Sequence, residues 1–240
     1  MRKNIYLPDA AREETIELPV PSFLIRHPHG NVLFDTGCHP SVAEHADERW
    51  GGMAKFMRPI FAAEDNLLTA LHQLGFQPTD IDVVISSHFH PDHCGCNAFF
   101  RRATILCHAK ELEAAQKPEA EQAGYLEIEW KHGKIETIRK DRDLFGDDKL
   151  ILIPLPGHTP GTTGALVTLD RSGRFLLASD AVSLRETLDR DIVPRNTWNA
   201  DLLRKSFAEI RRIEANGATL ICGHDAAQWA SLKKGADAYE

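Results

Sequence analysis

Hydrophobic positions along this 240-residue chain fall in short clusters of Val, Ile and Leu separated by polar turns. Eight runs read as strands: 19–26, 31–35, 81–86, 103–107, 149–154, 163–168, 174–178 and 218–222. Their β-branched and aliphatic content suits buried strands. Two segments follow a helical period instead. Leu67, Leu68, Leu71 and Leu74 recur three and four apart in 66–74. Leu202, Leu203, Phe207, Ile210 and Ile213 do so in 201–215, with Gly217 beyond as a stop. Strands interleaved with amphipathic helices predict an α/β layered architecture. With no low-complexity linker and no repeat, a single domain over 1–240 is expected.

Composition narrows the partners. The chain is 42% hydrophobic and 26% charged, a globular balance. A net charge of −7 argues against nucleic acid as a substrate, since a phosphate backbone is held by clustered Lys and Arg. The basic residues of 131–142 are interrupted by Glu136 and Asp141 and read as a solvated mixed face. No run approaches the roughly 20 apolar residues that span a bilayer, so no membrane partner is expected. Residues 1–10 hold charges and a proline rather than the apolar run of a secretory signal. Five cysteines at irregular spacing suggest no disulfide framework, and a cytoplasmic location is expected.

Four of the strand-like runs lead into metal-ligand residues: 81–86 before His88, 149–154 before His158, 174–178 before Asp180, and 218–222 before His224. Loops after strands are where a rigid scaffold presents chemistry. The central stretch is Ser86-Ser87-His88-Phe89-His90-Pro91-Asp92-His93-Cys94-Gly95. His88 and His90, two apart in extended chain, point the same way and can grip one ion. Past Pro91 the chain must turn, which redirects Asp92 and His93 towards a neighbouring ion. Imidazole and carboxylate donors are those of a catalytic zinc, whereas a closed structural zinc favours thiolates. With His158 in Pro156-Gly157-His158-Thr159-Pro160-Gly161, Asp180 in Ser179-Asp180-Ala181 and His224 in Gly223-His224-Asp225, the set suffices for two ions sharing a carboxylate.

These motifs resemble the metallo-β-lactamase superfamily, and within it the N-acyl homoserine lactonase-like branch. The resemblance runs from Leu18-Pro19-Val20-Pro21 and Leu33-Phe34-Asp35-Thr36-Gly37 through Asp80-Ile81-Asp82-Val83-Val84 and the His motif. It continues at Leu184-Arg185-Glu186 and ends in Gly223-His224-Asp225-Ala226-Ala227-Gln228-Trp229. It implies a four-layer αββα sandwich with the site at one edge of the sheets. It also implies two Zn2+, with Fe, Mn or Co as substitutes. One ion would take His88, His90 and His158, the other Asp92, His93 and His224, with Asp180 bridging and Asp35 supporting the ligand imidazoles.

Such a pair of ions would acidify a shared water for attack on an ester carbonyl, with Asp92 protonating the leaving alkoxide. The expected activity is a quorum-quenching lactonase acting on N-acyl homoserine lactones or related small lactones and esters. Glyoxalase II-like thioester cleavage and a di-iron redox centre are the alternatives. No Gly-x-Ser-x-Gly elbow competes. The branch often carries a tyrosine three residues after the bridging aspartate; here that position is Ser183. Trp50, Met53, Phe56, Met57 and Phe61 could line an acyl pocket, pack on the core or form a dimer contact, in a monomer or a homodimer. Cys94 and Cys96 read as small buried residues rather than ligands, and His108 follows a strand near the motif.

Overall fold

Each aliphatic run becomes a strand, and what lies beyond its C-terminal end decides the chemistry. The computed structural model describes residues 1–240, which form two units: Val20–Thr137, and Met1–Pro19 with Ile138–Glu240.

In chain order the first of these units contains β1 (Phe23–His27), β2 (Gly30–Phe34), α1 (Val42–Trp50), α2 (Leu67–Gln73), β3 (Val83–Ile85), α3 (Pro91–Cys94), β4 (Thr104–His108), α4 (Ala109–Ala115), α5 (Glu127–Trp130) and β5 (Lys134–Ile138). The sheet order is β1-β2-β3-β4-β5. β1 and β2 form an antiparallel hairpin with Phe23 opposite Phe34, and β2, β3 and β4 run parallel. Leu33, Val84 and Ile105 are buried in one cluster with Phe89, Phe100 and Trp130. α2 starts at Asn66, whose side chain accepts the Leu68 and Thr69 N–H groups at 2.9 and 3.1 Å. α3 opens on Pro91, whose fixed φ and missing N–H suit a first helical position. The buried Glu129 carboxylate joins α5 to α1, accepting from Arg49 Nε at 2.7 Å, Arg49 Nη2 at 2.9 Å and Trp50 Nε1 at 2.9 Å.

The second unit carries β6 (Arg142–Asp143), β7 (Leu150–Pro154), β8 (Thr163–Leu169), β9 (Gly173–Leu177), α6 (Arg185–Asp189), α7 (Ala200–Ala215), β10 (Ala218–Ile221) and α8 (Ala226–Ser231). Its sheet order is β10-β9-β8-β7-β6, antiparallel except for the parallel pair β9–β10. α7 buries Leu203, Phe207, Ile210 and Ile213 in a cluster with Leu166, Leu176 and Leu220. Gly157 lets this helix come close: a Cβ there would stand 2.4 Å from Leu203 Cα.

All eight expected strands and both expected helices form, with boundaries shifted by a few residues. β5 and β6 were not expected. Both are edge strands, and the charges of 131–142 that read as a solvated face are how an exposed edge resists pairing with another chain. No helix is long and apolar enough to cross a membrane.

Candidate metal centre

β2 and β3 lie side by side and parallel, so Asp35 and Ser86 leave the sheet at the same edge. Asp35 has φ +57°, a left-handed conformation that Asp tolerates better than most residues. Its carboxylate is buried and saturated with donors. Oδ1 accepts from Ser87 N at 2.7 Å; Oδ2 accepts from Ser87 Oγ at 2.8 Å and from His93 Nδ1 at 2.9 Å.

These bonds determine which nitrogen of each histidine is a ligand. His93 donates from Nδ1, so its lone pair is on Nε2. The Ser87 hydroxyl gives its proton to Asp35, so its oxygen accepts from His88 Nδ1 at 3.0 Å and the His88 lone pair is also on Nε2. His90 is reversed. Its Nε2 lies 3.0 Å from the Ala123 carbonyl oxygen, which can only accept, so the lone pair is on Nδ1. His88 Nε2 and His90 Nδ1 then face each other 3.0 Å apart. Asp92 Oδ2 lies 3.7 Å from His93 Nε2.

The second unit presents a matching set. β9 and β10 are parallel neighbours, so Asp180 and His224 follow strand ends at one edge. Asp180 comes after Ser179, a non-glycine residue at φ +47°. Its Oδ2 is 3.3 Å from His158 Nε2 and its Oδ1 is 2.8 Å from His224 Nε2, so one carboxylate stands between two imidazoles. His224 Nδ1 donates to the Pro19 carbonyl at 2.8 Å, which again puts the lone pair on Nε2. Gly223 permits the approach, since a Cβ there would lie 2.8 Å from Asp180 Oδ1. The His158 loop is tied to the start of α7 by Trp198 N to His158 O at 3.0 Å and Asn199 N to Gly157 O at 2.9 Å.

This donor chemistry fits a metal. Neutral His88 and His90 set lone pair against lone pair, and neutral His224 sets a lone pair against carboxylate oxygen. Both pairs repel unless a cation or a proton lies between them. Two nitrogens on a tetrahedral zinc, with bonds of about 2.0–2.1 Å, stand about 3.3 Å apart, close to the observed His88–His90 spacing. Burial adds to this: His88, His93, His158, Asp180 and His224 are each at most 7% exposed.

The remaining candidates separate. Ser183 is buried, and its carbonyl accepts the His224 N–H at 2.8 Å; that backbone role has no signature in sequence. Met57 packs with Met53 and Phe61 against Val42, Trp50 and Leu126, whereas Phe56 is 73% exposed. Cys94 and Cys96 are buried thiols donating to the His90 and Cys38 carbonyls, and burial pushes Cys96 up to about 12. His108 caps α4, its Nδ1 accepting from Lys110 N. Glu111, which the sequence did not single out, is fully buried and accepts the N–H of Phe89, between His88 and His90, at 3.0 Å.

The sequence profile of the metallo-β-lactamase superfamily matches residues 15–224. The chain belongs to this superfamily. Among curated members, the N-acyl homoserine lactonase AttM of Azorhizobium caulinodans is 31% identical over 232 residues, covering 93% of this chain and 88% of its own. The N-acyl homoserine lactonase AiiB of Agrobacterium fabrum is 33% identical over 245 residues, covering 93% and 86%. A solved N-acyl homoserine lactone hydrolase, with N-hexanoyl-L-homoserine bound at its catalytic metal centre, aligns at a TM-score of 0.84 and 25% identity over 94% of this chain and 89% of that one. A variant of AiiA from B. thuringiensis, with N-decanoyl-L-homoserine at its active site, aligns equally well, at a TM-score of 0.84 and 25% identity over 94% and 89%. The α/β metallo-β-lactamase fold expected from the motifs is the one this superfamily member adopts.

Proposed function

We propose that this chain is a dinuclear metal-dependent hydrolase that opens lactones, N-acyl homoserine lactones first among them, and so quenches quorum signals. One ion would be held by His88, His90 and His158, the other by Asp92, His93 and His224, with Asp180 shared. The main support is the set of hydrogen bonds that leaves His88, His90, His93 and His224 each with a defined lone pair for a cation. The names of the superfamily relatives support the substrate. Zinc is proposed because imidazole and carboxylate donors suit it; Fe, Mn or Co would accept the same set. Free cysteines suit a reducing cytoplasm, and a monomer or homodimer would serve.

Bound there, a pair of divalent cations supplies Lewis acidity for an ester carbonyl and for water. The chain's own groups do the rest. Water adds to the acyl carbon and passes a proton to the Asp92 carboxylate, the ring C–O bond breaks, and the alkoxide leaving group needs that proton. Asp92 supplies it, its side chain being 14% exposed against 5% for Asp180 and so more open to substrate. Asp35 and Ser87 hold His88 and His93 in the donor tautomer throughout. Ser183, small and buried, offers no phenol to grip a lactone carbonyl, and cleavage of a thioester or another ester is the second reading.

Zinc-loaded protein assayed on a panel of lactones and glutathione thioesters separates the two. Ring opening is expected, and thioester turnover without lactone turnover would overturn the assignment. Asp180→Ala should release metal and abolish nearly all activity; full metal content and turnover in that variant would remove its bridging role.

A further inference from the structure

His90 differs from the other histidines of the motif. It is half-buried rather than buried, and its lone pair is on Nδ1 rather than Nε2. Its ring is seated by one short segment. A 3-10 turn, Ala120–Ala123, ends in Gly124 at φ +93°, whose N–H donates back to Ala120 and Glu121. The turn presents the Ala123 carbonyl to His90 Nε2 at 3.0 Å. The ring edge lies so close to the Gly124 α-carbon that a Cβ would stand 2.9 Å from His90 Cδ2 and 3.0 Å from Nε2. Buried Tyr125 completes the seat, its ring centroid 5.6 Å from that of His90.

We propose that the Ala123–Gly124 turn is a positioning element that selects the Nδ1 tautomer and tilt of His90. It thereby sets the affinity of the ion His90 would hold, separately from the Asp35 relay serving His88 and His93. Glycine at 124 has two independent reasons, the left-handed backbone and the ring against it, and only the second bears on metal. The proposal rests on the dinuclear reading above.

Gly124→Ala tests it, with Gly75→Ala as control: Gly75 has φ +81° and nothing within 4 Å of an added Cβ, so it carries backbone strain alone. Zinc affinity measured by chelator competition should fall about 10–100-fold for one of two ions in Gly124→Ala and for neither in Gly75→Ala. Wild-type affinity for both ions in folded Gly124→Ala would overturn the proposal. Should that variant fail to fold, nitrogen-15 imidazole spectra of the wild-type protein decide. His90 is expected to carry its proton on Nε2 while His88, His93 and His224 carry theirs on Nδ1; a proton on His90 Nδ1 sinks the idea. Wild-type protein that binds no zinc would refute the dinuclear reading instead, and the His90 tautomer in the metal-free protein would still report on the turn.

Discussion

Asp35→Asn isolates the charge of the relay from its shape. Asparagine is isosteric and accepts the left-handed backbone at this position, φ +57°, so backbone strain does not enter. The carboxylate accepts three hydrogen bonds, from Ser87 N, Ser87 Oγ and His93 Nδ1. An amide cannot accept all three. With its NH2 towards Ser87 N, two buried donors oppose each other. With its NH2 towards Ser87 Oγ and His93, the serine proton must turn to His88 Nδ1, and both histidines must move their protons to Nε2, the atoms meant for metal. Either outcome leaves a mismatched buried donor or a wrong tautomer, worth about 2 kcal/mol. If that falls on metal binding it is a loss of roughly 30-fold in affinity. Chelator competition with zinc measures the binding, and urea unfolding of metal-free protein measures any share falling on stability. Wild-type values in both assays would refute the relay.

Two further outcomes follow from charge and burial. Glu129→Gln removes the countercharge of Arg49, whose side chain is only 15% exposed, and should cost about 3 kcal/mol in urea unfolding; a loss below about 0.5 kcal/mol would show the pair to be replaceable. His39 is held below its ordinary 6.5, at about 4, by burial first and by the Arg49 and His132 charges after it. The unfolded chain therefore takes up a proton that the native state refuses, and stability contributed by neutral His39 is lost as pH falls from 6.5 towards 4. The melting temperature of His39→Gln should fall less over that window than the wild-type value, and parallel curves would contradict the assignment.

Local sequence determined the elements and the donors. Runs such as 81–86 and 218–222 are rich enough in Val, Ile and Leu to read as strands wherever they fall, because those side chains need burial. The motif from His88 to His93 and the isolated His158, Asp180 and His224 stand out because few other functions call for imidazoles after strand ends. What sequence could not show is how each donor is oriented. The pairing of Asp35 with Ser87 and His93 needs β2 and β3 to lie side by side and parallel. The seat of His90 comes from a turn 33 residues later. The buried acceptor Glu111 sits on a helix whose pattern gives no sign of it. The charged edge strand β5 was invisible for a related reason: its side chains report solvent on one side, while its pairing depends on a neighbouring backbone. Residue type is a property of one position and can be read there, whereas hydrogen-bond direction belongs to two positions at once and exists only after the chain has brought them together.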